Sequence, residues 1–435
     1  MRFQEHNYWR TTAEFPPAAA SARLPEVVDV AVIGAGFTGL SAALTLAKRG
    51  ARVAVLEGET IGWGASSRNG GMVLTGLKVG TTVLITRYGK ETAQRMFDAS
   101  LQAIWTVEQL VAEEQIECNF SRCGHLEVAN KPSHFAGFQR GAEIASREFG
   151  HSLRVIPPKN LSSEIGSRHY FGGIVDELSA GVNPARYVAG LGLVAMRAGA
   201  EVHERTRVKQ ITSAARDGSP GWEVKTSRGD LWARDVLIAT SGYTGDSTPA
   251  LRRRLIPIGS YIIVTEVLPE SLAAEISPRN RMIYNSLNYT HYYRLTPDRR
   301  MLFGGRAAFF PENENTIRES QTILRRDMVK IFPQLRDTKI EYVWGGTLDF
   351  AFDMMPHVGK MDGLYYSVGY AGHGVAMATW LGQKIAEQIA SGPGAKSDNP
   401  FAEIAFKGAP LGLYRRKPWF LPLAGLWFRF LDLVS

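Results

Sequence analysis

An α/β fold is what this sequence of 435 residues predicts, on three observations. Residues 30–57, VAVIGAGFTGLSAALTLAKRGARVAVLE, read as an apolar strand, a glycine turn, a helix and a second apolar strand that ends at Glu57. Residues 200–242 read as alternating strands joined by turns and close on DVLIATSG, a core strand running into a glycine turn. Residues 364–392 repeat the scheme of the first unit, with the strand LYYSVG, the turn AGHG and the helix VAMATWLGQKIAEQIASG. A strand, turn and helix of this kind predict a Rossmann-like unit on a parallel sheet.

In chain order, residues 1–29 form an arm, made irregular by Pro16 and Pro17, with Tyr8 and Trp9 expected to pin it to the surface. In the first unit Gly34 permits the tight turn, Gly36 lets a phosphate approach the backbone, and Gly39 lets the helix lie against the sheet. The free N–H groups at the start of that helix favour an anion. Glu57, at the end of the next strand, is placed to accept from ribose hydroxyls and disfavours a 2′-phosphate. Strand, helix and acid together specify a dinucleotide site. The stretch GETIGWGASSRNGGMV is too rich in glycine for a helix and too polar for a buried strand, so it is read as a loop that something approaches closely. Helical spacing then covers 90–116, a strand 124–130 and another helix 132–149. Asn183 and Pro184 mark the N-cap and first turn of a helix that Gly199 ends. More strands follow between 255 and 310, then a helix at 314–331.

GAGFTG with Glu57, the loop GASSRNGG, NPARY at 183–187, YYRLTPDRRMLFGGRA, and D-x-x-P-x-x-G with GYAGHG together resemble the FAD-dependent amine oxidases of the D-amino-acid oxidase superfamily. Within it the chain is most similar to the γ-glutamylputrescine oxidase branch, over nearly its whole length. The resemblance implies a discontinuous FAD-binding domain at 30–80, 180–250 and 345–395. It implies an α+β substrate domain built on an antiparallel sheet at 81–179 and 251–344, with 396–435 as an aromatic tail. It assigns Gly34, Gly36, Phe37 and Thr38 to the pyrophosphate, with Gly39 in the same turn and helix start, Glu57 to the adenosine ribose, and the backbone of Val208 to adenine. Ser66, Ser67, Arg68, Asn69, Gly70 and Gly71 fall on the flavin side, Gly242 on the turn after the core strand, and Gly372, His373, Gly374 and Val375 beside the isoalloxazine. Some relatives attach FAD through a cysteine in the C-terminal half; this sequence has none after Cys123, so non-covalent FAD is expected.

The reaction so implied is hydride transfer from a carbon next to nitrogen to the flavin, leaving an imine that water hydrolyses. It needs a neutral amine and an aligned C–H bond rather than a strong base. Reduction makes the flavin anionic around N1 and its C2 oxygen, a charge that the helix beginning near Gly374 would stabilise. Arg294 on HYYRLT is a candidate for holding a substrate carboxylate, with an ion pair elsewhere as the competing role. Tyr292 shares its strand face. Tyr261 is a further positioning candidate, with packing preferred, and His373 a candidate for tuning flavin or substrate protonation. Trp344 and Tyr370 are read as walls of the amine site or as packing residues. The expected electron acceptor is oxygen. The rival reading is a D-amino-acid, glycine or sarcosine dehydrogenase passing electrons to a membrane quinone; a flavin-binding module without turnover is the third.

A net charge of +8, from 50 Lys and Arg against 42 Asp and Glu, is spread along the chain and does not call for nucleic acid. Two cysteines, Cys118 and Cys123, build no disulfide framework. Their spacing resembles the redox pair of flavin disulfide reductases, but no second nucleotide fingerprint accompanies it, and two unconnected thiols are expected. No metal site is predicted. No secretory pattern and no uncharged apolar run long enough to span a bilayer is found, so a cytoplasmic protein is expected. The tail from Pro418, interrupted by Pro422, Arg429 and Asp432, is read as packed on the body, with peripheral membrane contact as the alternative.

Overall fold

The computed structural model describes residues 7–17, 23–305, 314–392 and 398–409, together with Tyr414, Gly425 and Asp432. Most of the aromatic tail therefore lies outside the described residues, and so does the expectation of membrane contact through it. No helix among the described residues is long and apolar enough to cross a membrane.

Two sheets carry the fold. The first runs in spatial order His357–Met361, Leu364–Val368, Asp230–Ile238, Val27–Ile33, Val53–Leu56 and Glu201–His203. Neighbours in this order pair in parallel except at the His357–Met361 edge, which is antiparallel, and the strand Ser219–Thr226 joins the same sheet antiparallel to Asp230–Ile238. The strands read as continuous apolar runs because both faces are buried. Val30, Val32, Val53 and Val55 point into a core shared with the helices Phe37–Lys48, Pro184–Arg197 and Gly374–Ala390. Ala31, Ile33, Ala54 and Leu56 point the other way, toward Val224 of the hairpin formed by Val208–Arg216 and Ser219–Thr226.

Asn183 caps its helix as its position implies, its side-chain oxygen accepting from the Arg186 N–H at 3.1 Å. Two expected boundaries are corrected. The helix Lys90–Glu113, expected with the substrate domain, buries Met96, Phe97, Ala103, Ile104 and Val107 in the nucleotide-side core. The boundary at 345 falls inside the strand Ile340–Ala351, which pairs with Leu255–Val267 from Leu255 opposite Ala351 to Thr265 opposite Ile340. A third difference is local: Ala65–Arg68 forms one helical turn within the loop.

The second sheet runs Ile340–Ala351, Leu255–Val267, Arg300–Gly305, His291–Leu295, Met282–Asn285, His125–Val128, Gly173–Asp176 and Arg154–Ile156. It is antiparallel apart from one parallel pairing, Met282–Asn285 with His125–Val128. One face buries Tyr261, Ile263, Tyr293 and Phe303 with Leu324 and Met328 of the helix Glu314–Ile331. Side chains alternate along a strand, so Ser260, Tyr292, Tyr284 and Glu127 emerge on the opposite face, toward the first sheet. Tyr8 and Trp9 of the arm cover one end of that face, packing with Ile262, Val264 and Trp344. They are buried, 4% and 0% exposed, rather than pinned on the surface.

Candidate active site

The nucleotide end is built by the first turn. Gly34 has φ of +106°, and a Cβ there would meet the Ala239 carbonyl oxygen at 2.7 Å. At Gly39 a Cβ would fall 1.9 Å from the Gly34 carbonyl oxygen, so this crossing of helix and turn admits only glycine. Glu57 accepts from the Ala35 and Glu59 N–H groups, both at 2.8 Å. Burial raises its pKa, and those two hydrogen bonds work against the rise. The helix start is held by the loop, the Phe37 N–H donating to Ser66 Oγ at 3.0 Å, and Thr38 Oγ1 lies 2.6 Å from the Tyr370 hydroxyl. Gly34, Gly36, Phe37, Thr38, Glu57, Ser66 and Tyr370 line a cavity of about 480 Å³ that also takes in Val208, Gly372, Gly374 and Val375. Gly39, expected with them, lines neither cavity and serves the packing of the helix instead.

A second cavity of about 510 Å³ adjoins it and shares Ala65, Asn69, Leu348, Gly372 and Val375 with the first. The face of the second sheet that carries Ser260 and Tyr292 forms one wall, with Ile256, Ile258 and Phe350 as its apolar part. Lys78, Glu127, Tyr284 and His373 bring polar groups to it. Ser260 Oγ and the Tyr292 hydroxyl lie 3.1 Å apart. Burial, with Lys78 adding to it, pushes the His373 imidazole down to about 3, so the ring is neutral near neutral pH. Its Nδ1 is buried with no hydrogen-bond partner among the described residues.

The inner cavity brings together His373, Tyr292, Arg68, Asn69, Gly70, Gly372 and Val375. Arg68 is partly committed, donating to the Trp63 and Gly345 carbonyls. Arg294 and Tyr261 line neither cavity. Arg294 is 6% exposed and donates to the carbonyls of Gly71, Val182 and Leu295, beneath the ring of Trp9. Arg294 lies two residues along the strand from Tyr292, a shift of about 7 Å, which carries its side chain from the cavity to the end covered by the arm. Tyr261 points to the opposite face and is wholly buried in the core of the second sheet, while its neighbour Ser260 meets the cavity. Gly242 is turned toward the Leu348 carbonyl, and Ser241 and Tyr243 line the nucleotide cavity in its stead. Ser67 and Gly71 also line neither cavity: Ser67 is buried beneath Asn7, and Gly71 is packed against the Val182 carbonyl. Trp344 is buried and donates to the Arg68 carbonyl. Cys118 and Cys123 are free thiols outside both cavities, and burial pushes Cys118 up to about 12.

Lys78, Glu127, Tyr284 and Ser260 were missed. The signal was present for Glu127: GHLEVAN alternates His125 and Glu127 with Leu126 and Val128, so its polar face had to look at something other than the core. The loop 286–290, which also lines the inner cavity, is tied from outside. Asp432 accepts from the Asn288 N–H and side-chain amide, each at 2.8 Å, and from the Tyr289 N–H at 3.0 Å.

A parallel-sheet nucleotide site adjoining a chamber faced by a second sheet fits a dinucleotide-dependent oxidoreductase. The chain belongs to the DAO family, described as FAD dependent oxidoreductase, which matches residues 29–388. It is 32% identical over 393 residues to the γ-glutamylputrescine oxidoreductase of Escherichia coli, covering 90% of each chain. It is 34% identical to a protein of Rhizobium meliloti named as the probable oxidoreductase OrdL, covering 82% of each. Glycine oxidase from Geobacillus kaustophilus shares the fold, with a TM-score of 0.73 at 19% identity over 88% of this chain and all of that one. The protein is thus an FAD-dependent oxidoreductase of the amine- and amino-acid-oxidising kind. The residues present fit that cofactor: Gly36 keeps the helix start bare, Glu57 is oriented by two backbone donors, and Gly372 and Val375 line both cavities where they meet.

Proposed function

We propose that this chain oxidises a γ-glutamylated amine such as γ-glutamylputrescine at the carbon beside its terminal nitrogen, with oxygen as electron acceptor. The observation that carries the reading is the inner chamber, which adjoins the nucleotide cavity through Gly372 and Val375 and offers an apolar wall of Ile256, Ile258 and Phe350 to an aliphatic chain. Full-length likeness to a γ-glutamylputrescine oxidoreductase supports the choice of substrate. Bound FAD supplies a two-electron acceptor for the hydride. The protein's share is placement and exclusion of water. Ile256, Ile258 and Phe350 favour the uncharged form of a reacting amine. Tyr292 and Ser260 offer hydroxyls to orient it. The neutral His373 adds no positive charge to repel an incoming ammonium.

Anaerobic flavin bleaching across γ-glutamyl amines, free polyamines, N-methyl amino acids and D-amino acids tests the reading, followed by addition of oxygen or a soluble quinone. Fast bleaching by γ-glutamylputrescine and fast reoxidation by oxygen is the expected result. Bleaching by sarcosine or D-amino acids alone, with reoxidation only by quinone, would replace it with the dehydrogenase reading.

A further inference from the structure

We propose that Glu127 is a substrate-recognition residue of the inner cavity, and that it binds an ammonium group of the substrate other than the one being oxidised. This rests on the reading of the chamber as the amine site and names what the far end of the substrate must carry.

Among the described residues lining the inner cavity, Glu127 is the only carboxylate. It stands on the strand His125–Val128, in register with Tyr284 on the neighbouring strand, and the Tyr284 hydroxyl interacts with it. That hydroxyl is held from behind by His125 Nε2 at 3.2 Å, and His125 Nδ1 lies 2.8 Å from Ser179 Oγ. The two rings stack with centroids 5.2 Å apart. Glu127 is therefore backed by a row of side chains on its own sheet and lines the chamber. Lys78 is the cation that faces it, yet burial outweighs Lys78 and Tyr284 and pushes the carboxyl up to about 7. A carboxylate so placed is under-compensated, and a ligand cation relieves it.

The reacting nitrogen cannot be that cation for long, because hydride leaves the carbon only when the nitrogen lone pair is free. A group that stabilises an ammonium suits a nitrogen that stays protonated throughout. In a γ-glutamylated amine this is the α-ammonium of the glutamyl head.

The test uses holoenzyme and two ligands without a reacting primary amine, γ-glutamylbutylamine and its glutaryl counterpart, which differ only in the α-ammonium. Calorimetry should show the wild type binding the first about tenfold or more tighter. Glu127→Gln should bring the two within about twofold, with FAD content and Tm unchanged. Discrimination that survives in Glu127→Gln, or equal weakening of both ligands, overturns the assignment. Should neither ligand bind the wild type, the γ-glutamyl reading fails by itself. Putrescine against butylamine then tests Glu127: loss of putrescine preference in Glu127→Gln supports it, and an unchanged preference overturns it. Tyr284→Phe supplies a milder variant in which the same discrimination should fall only in part.

Discussion

Arg294 makes three hydrogen bonds to backbone carbonyls, and nothing in either cavity touches it. Its role is therefore to close a polar gap where the arm, the loop around Gly71 and the second sheet converge. Burial brings its guanidinium down to about 10, so it stays charged near neutral pH. Arg294→Ala should lower stability by about 3 kcal/mol, since it leaves three acceptors and a cavity behind. Thermal unfolding reads this, and the ratio of KM for carboxylated and plain amines should stay as in the wild type. Glu57 behaves differently, because one of its two backbone donors, Ala35, is itself part of the nucleotide turn. Glu57→Ala should weaken FAD retention by about 10- to 100-fold, the worth of one or two charge-assisted hydrogen bonds. Fluorescence titration of the apoprotein with FAD measures it.

The elements show which parts of the molecule were legible in the sequence. The glycine turn, the helices at 132–149 and 314–331 and the capped helix after Asn183 were readable because each rests on a short-range rule: a turn, a period or a cap. Gly39 is the strongest case. The helix Phe37–Lys48 crosses so close to the Gly34 carbonyl that Gly39→Ala should abolish folded holoenzyme, and recovery of soluble yellow protein with native near-UV dichroism would refute that packing. The chamber was only half readable. Strand parity assigned Tyr292 and Arg294 to one face, but which end of that face the arm covers depends on contacts between Trp9 and residues far along the chain. The same holds for Tyr261 and Ser260, one residue apart on opposite faces, and for the helix Lys90–Glu113, whose apolar stripe fits either core until the topology is known.

At the scale of the whole molecule, acid should unfold the protein earlier than its basic composition suggests. Burial pushes His125 down to about 4 and His373 to about 3, against an ordinary value of 6.5. Below pH 6.5 the unfolded chain therefore binds protons that the folded one refuses. Stability is complete above that pH and declines as it falls toward 4, by roughly 1.4 kcal/mol per unit for each such group. His125, 6% exposed, carries more of this than His373, which opens partly to the chamber. Calorimetric Tm from pH 8 to 4.5 should bend downward near 6.5, and the bend should soften in His125→Gln. The strand Ile340–Ala351 has a different consequence at this scale. It belongs to the second sheet along its length, yet Asp349 near its end accepts from the Gly369 N–H at 2.5 Å and offers its carbonyl to the Ala371 N–H at 2.9 Å, just before the helix Gly374–Ala390. As a load path this is a single beam, so tension on the substrate sheet arrives beside the Gly372 turn through the strand and the two hydrogen bonds of Asp349. Optical-tweezer pulling with one handle on each sheet should give one rupture event in place of two, the result expected when one strand serves both halves of the molecule.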